Sequence, residues 1–346
     1  MAKELTTTGA SALKPIPPEE RNEAIDLMIL GGVEEPAKAF RAGDALDAQM
    51  AKQDLILSAL HQNNTAAVQW LTQAGAQIVA LAGMLGEPDA LTRFPENWKT
   101  IGMGETEAMA NRPLILQING IRLGIVSFGE QPMGEFSGRA DAMSLMANDR
   151  VRMLINQCDH VIVLVRAGLD AGELPLPEWR ARYHRFIDVG ASIVLDTGRA
   201  RGWEAYQNGL VFYGLGSPAG ADALGLFLTL RRNGRLSYEA RALQRVAGTL
   251  DFSMNEAFRA SIDEQNKLFM QEQTYLRAAG EMCQRLYCAR EAAQKRGVLG
   301  LFVPHADEEL RLLSLLENES LRLMTLRALR LKNAAEQDKR ENVKRA

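Results

Sequence analysis

Three apolar runs end in side chains that can do chemistry. "LILSALHQ" ends at His61, "VIVLVRAGLD" at Arg166 and Asp170, and "SIVLDTGRAR" at Asp196, Arg199 and Arg201. A divalent-metal site needs several Asp, Glu, Asn or His ligands converging on one point. One histidine, two aspartates and three arginines are a poor set for that, because a guanidinium cannot coordinate a metal and repels one. The same guanidinium suits a carboxylate or phosphate through paired hydrogen bonds. The arginines and Asp196 are therefore candidate binding residues for a small anion, with no cofactor and no metal. Two other readings stay open. The arginines could simply pair with Asp170, Asp196 or Glu173. Alternatively, His61 and Asp170 could serve as base and acid of a metal-independent hydrolase or phosphoesterase, if they meet within hydrogen-bonding reach.

Other motifs are less informative. "LMILGGVEEPAKAF" has a strand, two glycines and a following helix, but neither the G-x-G-x-x-G spacing nor a G-K-[ST] ending. No Ser-His-Asp or Cys-His set stands at the strand ends. His160 begins a strand, His184 lies in a helix and His305 in a C-terminal linker, all away from the ends.

The elements that must position these residues alternate along the chain. Strand-like runs are "AIDLMIL", ended by Gly31-Gly32, then "DLILSAL", "AQIVALA", "HVIVLV", "ASIVLD" and "GLVFYGLG". Helices are predicted at "AVQWLTQAG", around Asp149 to Gln157, and at "WRARYHRFIDVG". "LILQINGIRLGIVSF" and "LGLFLTLRRNGRLSYEARAL" read as hairpins turning at Asn119-Gly120 and Asn233-Gly234. This mixture is an α/β class, preceded by a loose leader over residues 1–22 and extending over 23–252. From 253 to 346 the pattern is helical. Ile262, Phe269, Leu276 and Cys283 recur every seven residues. Gly297, Gly300 and Pro304 break the pattern, and Asp307 is a candidate N-cap for a second helix. Leu310, Leu313, Leu321, Met324, Ala328 and Leu331 stripe that helix, with Leu312, Leu316, Leu323 and Leu326 beside them. These helices pack on the same chain, or also make a homo-oligomer or partner-protein interface. The tail is charged.

The chain has 346 residues and a formal net charge of -3, which gives no support to nucleic-acid binding. The 3 cysteines form no C-x-x-C pair, as in a reducing compartment. The N-terminus lacks a signal-peptide core and no apolar run is long enough to span a bilayer, so a cytoplasmic location is expected.

The order of the strand ends resembles the CapA family, the poly-gamma-glutamate capsule biosynthesis proteins of the calcineurin-like metallophosphatase type. The resemblance runs from about Ala24 to Phe227. "DHVIVLVRAGLDAGELPLPEWRARYHRFIDVGASIVLDTGRARGWEAYQNGLVFYGLGSP" carries most of it. It implies a four-layer α/β/β/α sandwich with a two-metal phosphoesterase centre at the strand ends. The family's ligand positions are degenerate here. The metal aspartate of its G-G-D falls on Val33, and its N-L-E asparagine and glutamate on Ala59 and His61. Its N-N-H run meets Gly83, Met84 and Leu85. The histidine of H-W-G-x-E falls on Arg166 and the glutamate on Asp170. The G-H-H-P-H histidines fall near Thr197, Gly198 and Ala200, and the G-N-F asparagine on Ser217. The E-x-Y motif is kept as Glu204 and Tyr206. The resemblance thus implies the fold, and its losses imply a pseudoenzyme, a structural, regulatory or anion-sensing component of capsule or surface-polymer biosynthesis.

Overall fold

The structure is a computed structural model that describes residues 24–33, 41–61, 65–84, 94–131, 138–297 and 318–345. The predicted leader, His305, Asp307 and the stripe residues Leu310, Leu312, Leu313 and Leu316 lie outside the described residues.

Strand β1 (Ala24–Val33) shows why its sequence is apolar throughout. Ile25, Leu27 and Ile29 point into one core, while Met28, Leu30 and Val33 point into another. A strand buried on both faces needs a continuous apolar run rather than alternation. The strand was expected to end at Gly31-Gly32. It continues through both, with a register shift against its neighbour between Ile29 and Gly32. The reason is close approach rather than turning. A Cβ added at Gly31 would stand 1.7 Å from the carbonyl oxygen of Gly216.

On one side β1 pairs in parallel with β3 (Leu55–Leu60), followed by β4 (Ile78–Ala80) and β5 (Lys99–Ile101). On the other it pairs antiparallel with β12 (Asp222–Arg231), followed by β13 (Leu236–Val246), β14 (Thr249–Phe252) and β2 (Arg41–Ala42). A second sheet has the order β10 (Trp203–Tyr206), β11 (Gly209–Phe212), β9 (Ile193–Asp196), β8 (His160–Arg166), β7 (Ile121–Gly129) and β6 (Leu114–Ile118). Both expected hairpins form. Asn119 (φ 49°) and Gly120 (φ 75°) close β6 onto β7, and Gly234 closes β12 onto β13.

The sheets face each other across Ile25, Leu57, Ile125, Leu164, Leu195 and Leu226. Outside the first sheet, α1 (Asp44–Met50) and α2 (Thr65–Gln73) bury Leu46, Met50, Trp70 and Leu71. A short α3 (Glu107–Ala110) precedes β6. Outside the second sheet, α4 (Leu145–Leu154) and α5 (Pro177–Asp188) bury Val151, Leu154, Trp179, Tyr183 and Phe186. The order of layers is α/β/β/α, as the resemblance implies. No helix among the described residues is long and apolar enough to cross a membrane.

The C-terminal region is α6 (Glu256–Phe269), α7 (Glu272–Gly297) and α8 (Glu319–Arg345). The seven-residue stripe read as one helix breaks at Met270 and Gln271. Ile262 accordingly joins the core between the sheets, while Phe269, Tyr275, Met282 and Cys283 join the core under α5. The Tyr275 hydroxyl donates to the Pro175 carbonyl (2.9 Å) and Trp179 Nε1 to Ser320 Oγ (2.7 Å). These helices therefore pack on the body of their own chain. Phe269, Tyr275, Met282 and Met324 are at most 3% exposed, and each such burial stabilises by roughly 1.5–3 kcal/mol. A chain ending at Phe252 is expected to aggregate, because Trp179, Tyr183 and Tyr213 lose their cover. Light scattering on the truncated and full-length proteins reads this, and a monodisperse, cooperatively melting truncation would contradict it.

Candidate functional site

The two-residue period of a strand decides which side chains reach the site. In β8, Ile162 and Leu164 face the opposite sheet, and Arg166 continues that face where the strand ends. In β3, Leu55, Leu57 and Ala59 do the same, and His61 follows. In β9, Ile193 and Leu195 set the parity that brings Thr197 inward. Asp196 faces the other way, toward Tyr183 of the outer core. Two of the expected residues, His61 and Arg166, thus come to one edge of the sandwich, together with Thr197. His61 Nε2 lies 3.0 Å from Thr197 Oγ1, and Thr197 Oγ1 donates to the Val165 carbonyl at 3.2 Å. The Gly32 amide donates to the Thr197 carbonyl at 2.8 Å, so the two sheets are joined here by polar bonds.

Arg166 crosses this edge. Its stem lies on Gly83, where a Cβ would stand 2.3 Å from both Arg166 Cβ and Cγ. Only glycine leaves room for the arginine stem. The guanidinium reaches past Gly198 toward Asp196, and Nη2 donates to Asp170 Oδ2 at 2.6 Å. The Arg166 side chain is 17% exposed and that of Asp170 59%.

Asp196 is fully committed. Tyr183 donates its hydroxyl to Oδ2 (2.5 Å) and the Gly198 amide donates to Oδ1 (2.6 Å). Burial pushes its carboxyl above the usual range, while the charges of Arg166 and Arg201 oppose that shift. Burial also raises the Tyr183 phenol well above its ordinary value, reinforced by Asp196. Arg201 is buried, and burial lowers its pKa despite the opposing charge of Asp196. Its guanidinium donates to the carbonyls of Leu169 (2.5 Å), Gly172 (3.0 and 3.1 Å) and Tyr213 (3.3 Å). Arg199 is exposed, and its Nη1 donates to the Asp170 carbonyl at 3.1 Å. For Asp170, burial acts upward, but the hydrogen bond and charge of Arg166, with Arg201 and His61, bring its carboxyl below the usual range.

Beside this edge lies a network that the strand-end reading did not include. Glu204, of the E-x-Y motif, takes both Arg180 Nε (2.9 Å) and Nη2 (2.8 Å), His184 Nε2 (2.7 Å) and the Tyr213 hydroxyl. His184 stacks on Tyr206, ring centres 3.7 Å apart. Arg180 also donates to the Phe269 carbonyl (2.9 Å), pairs with Glu272 and lies 4.6 Å from the Tyr275 ring centre. The motif thereby fastens α5 to the turn between α6 and α7. A second fastening is Glu130, which accepts the Gly168 amide (3.1 Å) and both the amide and hydroxyl of Ser320 (2.5 Å each). The signal for the first was the retained Glu204-Ala205-Tyr206. Glu130 sits in no motif that sequence reading could single out. His160 stays apart, its Nε2 2.7 Å from the Arg231 carbonyl oxygen.

The two-metal centre implied by the resemblance does not fit these side chains. Both Asp196 oxygens face hydrogen-bond donors, His61 Nε2 faces Thr197, and a guanidinium occupies the space between the strand ends. Among the described residues, no group of three or more His, Cys, Asp or Glu side chains is placed to hold a metal ion.

A four-layer sandwich with polar residues gathered at the strand ends is the class of protein the structure defines. The family model for the bacterial capsule synthesis protein PGA_cap matches residues 46–219. The chain belongs to this family. No curated protein matches it. Among solved structures, it is similar to a novel phosphatase from Mycoplasma pneumoniae at 13% identity and TM-score 0.44, covering 64% of this chain and 94% of that one. A putative 5'-nucleotidase from Staphylococcus aureus, solved with alpha-ketoglutarate, shares 12% identity with TM-score 0.47, over 70% of this chain and 58% of that one. A hypothetical protein from Thermus thermophilus shares 14% identity with TM-score 0.44, over 64% of this chain and all of its own.

Glu204 gives a measurable consequence. Burial would raise its carboxyl, but the hydrogen bonds from Arg180, His184 and Tyr213 lower it from 4.5 to about 2. A group lowered in this way stabilises the fold above its unfolded value, and that contribution is lost as pH falls from about 4.5 toward 2. Glu204→Gln leaves Arg180 buried and is expected to cost about 3–5 kcal/mol at neutral pH. The gap from wild type should shrink through that acid window. Denaturant melts across pH test this; a gap independent of pH would contradict it.

Proposed function

We propose that the chain is a non-catalytic member of the capsule-synthesis family, a structural or anion-sensing component of surface-polymer assembly. The observation that carries this is Arg166, whose guanidinium lies at the strand ends where the resembling family places a metal-binding histidine. A bound metal ion would lower the pKa of its water and polarise a phosphoryl oxygen. A guanidinium held by Asp170 cannot activate water in that way. The hydrolase reading draws little support, because His61 and Asp170 each face another partner, Thr197 and Arg166. The three free cysteines support a cytoplasmic location. Poly-gamma-glutamate as the polymer rests on the family resemblance.

The retained helices support a further contact. On α8, Leu326 and Leu329 are 45% and 36% exposed on the side of the helix opposite the buried Met324 and Ala328. A second copy of this chain is the occupant we propose for that face.

Purified full-length protein is expected to carry no stoichiometric manganese, iron or zinc, and to show no phosphoesterase turnover above background when these are added. Elemental analysis and a nitrophenyl-phosphate assay test this, and metal-dependent turnover would falsify it. Light scattering at micromolar concentration is expected to give the mass of a dimer, reduced to a monomer by Leu326→Asp. A wild-type monomer would remove the case for self-association.

A further inference from the structure

Strand β6 is the last strand of the second sheet and pairs on one side only, with β7. The pairing runs from Leu114↔Ile125 to Ile118↔Ile121 without a register shift. When an antiparallel pair is closed by a two-residue turn, the residues flanking the turn exchange hydrogen bonds. Bonded and unbonded pairs then alternate along the strands. Leu114, Leu116 and Ile118 therefore spend their backbone groups on β7, while those of Ile115 and Gln117 point away from the sheet. Among the described residues, no other hydrogen bond engages them. Edge strands are commonly blunted by a charge, a bulge or an internal proline. "LILQI" has none of these, and Pro113 and the Asn119-Gly120 turn bound it as a five-residue template.

The two faces of β6 differ. Leu114, Leu116 and Ile118 turn inward and are only partly buried against the core between the sheets, because no further strand flanks them. On the outer face, α4 covers the neighbouring β7 and leaves Ile115 41% exposed. A Cβ at Gly124, the partner of Ile115, would stand 2.9 Å from Cys158 Sγ and 3.2 Å from Leu154 Cδ2. One flank of α4 faces α5, since Ile155 meets Gly190 just past that helix. Arg150 and the exposed Met153 lie on the opposite flank, beside β6. Arg122, cross-strand from Gln117, is exposed on the same outer face. Among the described residues, neither arginine is paired with a carboxylate, and Arg150 Nε is buried without a hydrogen-bond partner. Asp149 is taken by Arg152 (2.8 Å), and an Asp159 oxygen by the Arg122 amide (2.7 Å).

We infer that β6 is a docking edge for an extended segment of a partner protein, which adds as a further strand with apolar side chains turned inward and acidic ones outward. The backbone groups of Ile115 and Gln117 supply main-chain hydrogen bonds, and the alternate side chains supply selectivity. The inward residues extend the row of Leu114, Leu116 and Ile118. The outward carboxylates meet Arg122 and Arg150. A second copy of this chain is a poor occupant, because its own Arg122 and Arg150 would join the same face with no carboxylate to answer them. This surface is separate from the strand ends and stands whatever they bind.

Fluorescence anisotropy on the full-length protein tests this with labelled Val-Glu-Val-Glu-Val-Glu-Val and its lysine counterpart. A third peptide, Val-Val-Glu-Glu-Glu-Val-Val, keeps the composition without the alternation. The alternating acidic peptide is expected to bind about tenfold more tightly than either, and to slow hydrogen exchange at the Ile115 and Gln117 amides. Gln117→Pro removes one outward amide and spares the bonds to β7, and is expected to weaken that binding about tenfold. Arg122→Glu combined with Arg150→Glu is expected to shift the preference to the lysine peptide. No binding of the alternating acidic peptide would overturn the docking edge. Equal binding of the non-alternating peptide, or binding without slowed exchange at the two amides, would overturn strand addition. An acidic preference kept by the double variant would overturn the part given to the arginines. Protection of the two amides that rises with protein concentration, without any peptide, would assign the edge to a second copy instead.

Discussion

A carboxylate buried at the end of β9 must have its charge answered, and the edge of this sandwich is organised around that requirement. Asp196 is 1% exposed. An ionised group so placed is costly unless cations and hydrogen bonds surround it. Tyr183, the Gly198 amide, Arg166 and Arg201 together supply them. Each brings a consequence with it. Tyr183 fixes α5 against the sheet, Arg201 fixes the loop after β8, and Arg166 requires the missing side chain at Gly83.

A tethered guanidinium and a bound metal ion allow such an edge different chemistry. A metal ion exchanges with solvent and couples its site to metal supply and to the protonation of its ligands. Arg166 is covalently part of the chain, stays charged at any physiological pH, and presents a fixed planar set of donors. A guanidinium supplies positive charge without Lewis acidity. On the reading proposed above, what remains is pairing with anions.

Much of the fold was legible in the residues. Two Asn-Gly pairs fixed both hairpins, and continuous apolar runs marked strands that are buried on two faces. The strand ends also gave His61, Arg166, Asp170, Asp196, Arg199 and Arg201, because each apolar run stops abruptly in charged or polar residues. Their division of labour was not legible. Asp196 and Thr197 are adjacent in sequence yet serve opposite faces of the sheet. Arg180 reads as one more charge on an amphipathic helix, and only the folded chain shows it 6% exposed and bound to Glu204. The seven-residue stripe from Ile262 to Cys283 concealed the break at Met270, since a repeat can persist across a tight turn when both segments cover the same core. Gly31 looked like a turn and proved to be a point where two backbones nearly touch.

Glu130 makes one carboxylate the acceptor for two distant parts of the chain, the Gly168 amide beside the strand end and Ser320 in the first turn of α8. A negative group there also complements the partial positive charge of a helix N-terminus. In thermodynamic language, opening either part forfeits bonds belonging to the other. The C-terminal helices and the sandwich edge are thus members of one cooperative unit. Sequence drift in α8 is then constrained by the chemistry of the strand ends, although Glu130 and Ser320 stand 190 positions apart in the chain.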